Sequence, residues 1–253
     1  MRERQYKVDE FKNRAPGSDP HYQSVCRSMV AVVRGNELEA ITQIERAIDG
    51  FVALGDIQGE GRARAKAVIL FRRFGHAQRT LQQATRALEC LRKRPDAGYE
   101  AHVYLELGQL AAGQGNAEAA SAHYEMGLQV TSTYGKGEDE IVTTARAFLS
   151  DCAATCLAMA GKWNRVEGLR RSAIESLKAL NAPHLDRDLV ITYSNLARDY
   201  VFTGRLGLVE PALADAKAIL HAMEKRGDID PECRGSYEGV CAEYEERLLR
   251  SRS

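Results

Sequence analysis

Little in this chain can build a sheet, cross a membrane or run a reaction. Alternating valine- or threonine-rich runs are few and prolines number six in 253 residues, which leaves little room for β-structure. No apolar run approaches the ~20 residues needed to span a bilayer. The opening stretch MRERQYKVDEFKNR is charged throughout and lacks the apolar core of a secretory signal, so a cytoplasmic protein is expected. Net charge is absent too: 35 basic residues balance 35 acidic ones, which argues against a generally nucleic-acid-binding surface. The six cysteines are scattered through helical patterns, unlike a secreted disulfide framework, and read as reduced core thiols.

Motifs for chemistry are missing as well. The sequence has no GxGxxG, P-loop, GxSxG or HExxH. Cys152 and Cys156 share a helical face, but a metal would need two more ligands and none stands at a matching spacing. His102 and His123 could approach each other across one helix pair, without any nucleophile or acid motif beside them. The glycine-rich stretch Gly55 to Gly61 lacks the lysine of a nucleotide loop. Trp163, the single tryptophan, opens a helix beside Gly161 and reads as an anchor between helices. No enzyme, no cofactor and no metal site is expected.

What is present is helix, with a period. Segments such as AEAASAHYEMGLQV and PALADAKAILHAMEK repeat their apolar residues every three or four positions. Gly35, Gly75, Gly115, Gly161 and Gly204 each close a helical stretch, at separations of 40, 40, 46 and 43 residues. Around the third glycine stand Tyr104, Leu107, Gly108, Ala111, Ala120, Tyr124 and Gly127; around the fifth, Tyr193, Leu196, Ala197, Tyr200, Val209, Leu213 and Ala216. The first copy offers Ala31, Ala40, Ile44 and Ala47, whereas the second (Phe71, Ala84, Ala87) and the fourth (Ala153, Ala154, Leu157, Ala173) are looser. Small residues let two helices of a hairpin approach, aromatics fill the gap to the next hairpin, and glycine can take the left-handed conformation that ends a helix. Asn36 and Asn116 follow their glycines as N-caps, and Asn36 with Glu39 forms a capping box.

This pattern resembles the tetratricopeptide repeat, over roughly residues 20 to 226. The family's copies are 34 residues long; these exceed that by about two turns, as do those of bacterial signalling regulators. The resemblance implies an all-α fold: a right-handed superhelical solenoid of about five antiparallel hairpins, covering 20–56, 57–95, 96–136, 138–182 and 185–228. A tail or short helix over 1–19 precedes it, and the loop 134–138 accounts for the longest interval. Within 231–253, Tyr237, Cys241, Tyr244 and Leu248 form one apolar stripe, which predicts a helix covering the end of the stack.

By the same resemblance the first helix of each hairpin lines a concave groove. The inward positions hold Tyr22, Val25, Met29 and Val32 in the first repeat, Arg62, Lys66, Ile69, Arg72 and Arg73 in the second, and His102, Leu105, Glu106, Gln109 and Ala112 in the third. In the fifth they hold Ser194, Asn195, Arg198 and Phe202. The lysine and asparagine set with which chaperone-binding members hold a C-terminal carboxylate does not occur in any three consecutive repeats.

Charge singles out the second repeat. From 61 to 94 there are ten Lys or Arg and one acid, Glu89; from 95 to 140 there are eight acids and one base, Lys136. Arg62, Lys66, Ile69 and Arg73 share one helical face. Three readings stay open: a basic pocket for an acidic peptide or other anion, a solvated face balanced by ion pairs to the acidic neighbour, or self-association of unlike repeats from two copies. The function expected is a protein- or peptide-binding scaffold, bacterial and regulatory. The alternative is the ligand-sensing region of a larger regulator, such as a second-messenger enzyme or a DNA-binding protein.

Overall fold

The computed structural model describes residues 19–133 and 139–252; residues 1–18 of the tail expected over 1–19 and the loop 134–138 lie outside it. Among the described residues there are eleven α-helices and no strand. They run α1 (Pro20–Arg34), α2 (Glu37–Leu54), α3 (Ile57–Arg73), α4 (Ala77–Lys93), α5 (Ala97–Gly113), α6 (Ala117–Thr133), α7 (Glu140–Met159), α8 (Val166–Leu180), α9 (Asp186–Phe202), α10 (Val209–Arg226) and α11 (Pro231–Arg252). Short 3-10 turns at Trp163–Arg165, Pro183–Leu185 and Leu206–Leu208 lead into α8, α9 and α10.

The glycine spacing marks the same event five times. Gly35, Gly75, Gly115, Gly161 and Gly204 have φ of 71, 79, 77, 70 and 73°, the left-handed region where a side chain is strained. At each one the next residue donates its N–H to the carbonyl five positions back: Asn36 to Ala31, His76 to Phe71, Asn116 to Ala111, Lys162 to Leu157 and Arg205 to Tyr200, all within 2.8–2.9 Å. These bonds satisfy carbonyls that a helix end would otherwise leave unpaired. The next helix then starts on a local cap: the Asn36 side chain accepts from Glu39 N and that of Asn116 from Ala119 N. Asp19 caps α1 in the same way, ahead of Pro20.

The helices fall into two compact units that divide within α7, after Ala145. In the first, Val25, Ile44, Phe51, Leu70 and Phe71 pack α1, α2 and α3 together, and Val68, Leu91, Val103, Tyr104 and Leu107 join α3, α4 and α5. Each such side chain, once buried, contributes roughly 1.5–3 kcal/mol. Gly108 shows why one slot must stay small: a Cβ there would lie 2.2 Å from the Tyr124 ring of the partner helix.

In the second unit, Ile174, Leu177, Val190, Tyr193, Tyr200, Leu213 and Leu220 form the core. The expected stripe of α11 packs onto it through Tyr237, Cys241 and Tyr244, with Cys233 and Val240 fully buried. Here the repeat pattern breaks. Nine residues after the turn glycine the other copies carry Ile44, Ala84, Tyr124 and Leu213; this one carries Arg170, only 3% exposed. Its guanidinium bonds Asp199 at 3.0 Å and Asp151 at 2.5 Å, and those acids also occupy slots that are mostly apolar elsewhere. An ionic trio thus replaces three pieces of core.

By length and composition alone α7 could cross a membrane, its most apolar stretch having mean hydropathy 1.2, which the absence of an apolar run near twenty residues had not suggested. Half of that stretch is buried within the protein, and Asp151 on the same helix is tied to Arg170.

Candidate functional site

The first-helix face of the first unit is built around one aromatic ring. Asp96 caps α5 and places Tyr99 one turn into the helix, its carboxylate accepting from Tyr99 N at 3.3 Å. The Arg62 guanidinium of α3 bonds the same Asp96 at 2.8 Å and lies 5.5 Å from the Tyr99 ring centre. Lys66, one turn further along α3, sets its ammonium 5.3 Å from that ring. Two cations this close to one ring are attracted by its negative π-density. Burial, with Tyr22 nearby, pushes the Tyr99 phenol up to about 12, so it stays a neutral donor.

His102 follows on the same face of α5. It keeps some accessible surface, yet protein surrounds it closely. That desolvation, helped by the Lys66 charge, pushes its imidazole down to about 3, so the ring is neutral at ordinary pH. Arg72 pairs with Glu106, whose side chain is 8% exposed. The two ion pairs Arg62–Asp96 and Arg72–Glu106 each span 34 residues, so they join successive first helices with the same stagger.

The remaining expected residues separate by environment. Ile69 is half-buried, Arg73 stands exposed at the end of α3, and Gln109 is partly exposed on α5. Leu105 is a correction: it is 4% exposed and packed between helices, so it offers a ligand no surface. Arg62 and Arg72 are corrected in part, since acids of the third repeat occupy their guanidinium groups. Asn195 and Arg198 lie in the second unit and form no part of the Tyr99 cluster; Arg198 there bonds Glu243 of α11 at 3.2 Å.

The second unit holds a feature that spacing alone did not reveal. The Trp163 ring stacks against Phe202, with centres 6.3 Å apart and planes 22° from parallel. Phe202 is 56% exposed, and Arg247 of α11 sits 5.9 Å from its ring centre. Trp163 does touch a neighbouring helix, as expected of an anchor, but the pair faces solvent in part.

Among the described residues no group of three or more His, Cys, Asp or Glu side chains could hold a metal ion. None of the six cysteines forms a disulfide, and burial raises the thiols of Cys26, Cys90, Cys156 and Cys233. Buried, protonated thiols are poor nucleophiles.

No protein-family model matches the chain, and no curated protein matches it. Solved structures do. One is BtubC (BKLC) from P. vanneervenii, at 17% identity and TM-score 0.67, covering 87% of this chain and 89% of that one. Another is a Podosopora anserina putative kinesin light chain with TPR-like repeats, at 12% identity and TM-score 0.58, covering 80% and 95%. A third is a Rap protein complexed with Competence and Sporulation Factor, at 13% identity and TM-score 0.60, covering 97% and 74%. At these identities the likeness is one of fold: consecutive packed helix hairpins closed by left-handed glycines give this chain a tetratricopeptide-repeat-like architecture.

Proposed function

We propose that the chain is a non-catalytic, cytoplasmic binding scaffold, and that the first-helix face of its first unit takes an extended acidic segment of a partner protein. The observation that carries this is the pair of cations over Tyr99. Lys66 and Arg62 converge on one partly accessible ring, with a neutral His102 one turn on and Gln109 and Arg73 further along α5 and α3. Asp96 and Glu106 absorb part of the positive charge, so specificity rests on the Tyr99 ring, Arg73 and the polar groups of α5 rather than on the whole basic stripe. A backbone and its carboxylates can satisfy such donors together.

The test is affinity capture from the source cell, run in parallel with native protein and a Lys66→Glu/Arg73→Glu variant. Both substituted side chains reach the surface, so the variant should fold. Loss of the captured partner is expected; the same partner recovered with both proteins would sink the proposal.

A second reading, that the chain is the ligand-sensing part of a regulator, gains support from the Rap structure, which holds a bound factor. It predicts that a bound peptide changes helix packing, measurable by hydrogen exchange along α3 and α5.

A further inference from the structure

We infer that the chain binds a second copy of itself through two unlike faces, the exposed side of α11 in one copy seating on the outer side of α1 in the next. The α1 side carries Arg27 and Arg34, seven positions apart with Ala31 between them, so the three share one face of the helix. The α11 side carries Glu238 and Glu245, also seven apart, with Ala242 between them. Both patterns step by four residues and then three, with opposite charge.

Nothing within the chain already answers these charges. All four charged side chains are exposed, and none has a partner among the described residues. Their neighbours are engaged. On α11, Glu232 pairs with Arg187, Glu243 with Arg198, Glu246 with Arg250 and Arg234 with Glu224. Glu39 of α2, the acid that lines a cavity together with Arg27 and Arg34, accepts from Gln43 at 2.8 Å. Arg62 and Arg72 of the basic second repeat are held by Asp96 and Glu106, so they are not free to bridge copies.

The chain's own first helices show how such faces meet. Arg187 pairs with Glu232 and Arg198 with Glu243, each 45 residues on, so α9 and α11 run parallel and are joined by two ion pairs along their length. Arg62–Asp96 and Arg72–Glu106 join α3 and α5 in the same manner. Repeated between copies, that arrangement sets Glu238 against Arg27, Ala242 against Ala31 and Glu245 against Arg34. The two alanines let the helices approach closely. Apolar contact adds to the charge match. The cavity beside Arg34 measures about 400 Å³ and includes Val30 in its lining. Leu249, four residues past Glu245 on the same stripe, is 70% exposed and is the side chain placed to enter it. Because unlike faces meet, the contact is heterologous and can extend beyond a dimer.

The experiment is sedimentation velocity on the full chain, over a concentration series in low salt. The average mass should rise with concentration and fall again as added salt screens the pairs. Arg27→Glu/Arg34→Glu, and separately Glu238→Arg/Glu245→Arg, should each weaken association about tenfold or more, since two attractions become repulsions. Mixing the two variants in equal amounts should restore it, because each retains one native face that the other can meet. A contact between like faces would not be rescued in this way. Circular dichroism checks that these surface variants keep their helices. Lys66→Glu/Arg73→Glu should associate as the native chain does, which separates this contact from the proposed binding face. A native chain that stays monomeric up to about 1 mM overturns the inference. So does association that either charge-reversed variant leaves intact, or that the mixture fails to restore.

Discussion

Arg170→Leu removes the centre of the buried ionic trio and installs the residue that Leu213 supplies at the same position of the following repeat. The new leucine could gain about 2 kcal/mol from burial. Against that, Asp199 (7% exposed) loses the guanidinium it bonds, and breaking a buried pair by removing one partner costs about 3–5 kcal/mol. The net expectation is a loss of about 1–3 kcal/mol. A triple variant, Arg170→Leu with Asp151→Val and Asp199→Leu, restores apolar side chains at all three slots and should match or exceed the native chain, by up to about 4 kcal/mol. Urea unfolding followed by circular dichroism and by Trp163 emission measures both; the emission reads the second unit, where Trp163 lies. The pH dependence adds a second check. Burial raises the Asp199 carboxyl, and Arg170 opposes that rise. Without the guanidinium the folded state holds its proton more tightly still. A raised acid is at its most favourable below the unfolded pKa, ~3.9, and loses ground as pH climbs through the folded value. The deficit of Arg170→Leu should therefore be small in acid and grow toward neutrality. A single variant as stable as the native chain, or a triple variant no better than the single one, would refute the reasoning.

Three further outcomes are expected. Glu167, held down to about 2 against an ordinary 4.5, stabilises the fold above pH 4.5 and ceases to as pH falls toward 2. Glu167→Gln should cost about 1 kcal/mol at neutral pH, after allowance for its partial exposure, and flatten the acid limb of a thermal-unfolding profile. His102, pushed down to about 3, stays neutral when folded but charges when unfolded, so stability from this group is full above ~6.5 and declines below it. Proton NMR should find its imidazole neutral at pH 5, and His102→Gln should lessen acid destabilisation between pH 6 and 4. Gly108→Ala drives a methyl group into the Tyr124 ring and should cost about 2–3 kcal/mol in urea unfolding, with Tyr124→Leu recovering part of the loss.

The hairpin turns were legible because their chemistry is local: a glycine, a cap and an apolar stripe lie within a few residues of one another. The fourth repeat looked loose for a reason the structure supplies. Arg170 and Asp151 fill slots of that repeat that the pattern leads one to expect apolar, and only their contact with each other and with Asp199 of the fifth repeat makes the exchange tolerable. The charge swing between the second and third repeats was equally plain in the sequence, but not its resolution. Arg62 and Arg72 find their acids 34 residues away on another helix, an offset that a repeat of 40 does not announce. Leu105, placed inward by the family's register, is only 4% exposed, and burial of one position on a helix rich in apolar residues is not readable from spacing. Tyr99, the ring at the centre of the candidate site, sits in an apolar-looking stretch of α5, and no single-sequence cue sets it apart from core tyrosines such as Tyr104.

The five glycine turns also bear on how such a chain can grow. Each corner is closed by bonds reaching back only five residues, so a copied hairpin brings its own corner along. A tandem duplication of about forty residues could thus be accepted at the bends without further change. The flanks would be the obstacle: a newcomer slipped between α4 and α5 would part Arg62 from Asp96 and Arg72 from Glu106, and selection would first have to supply it with matching partners.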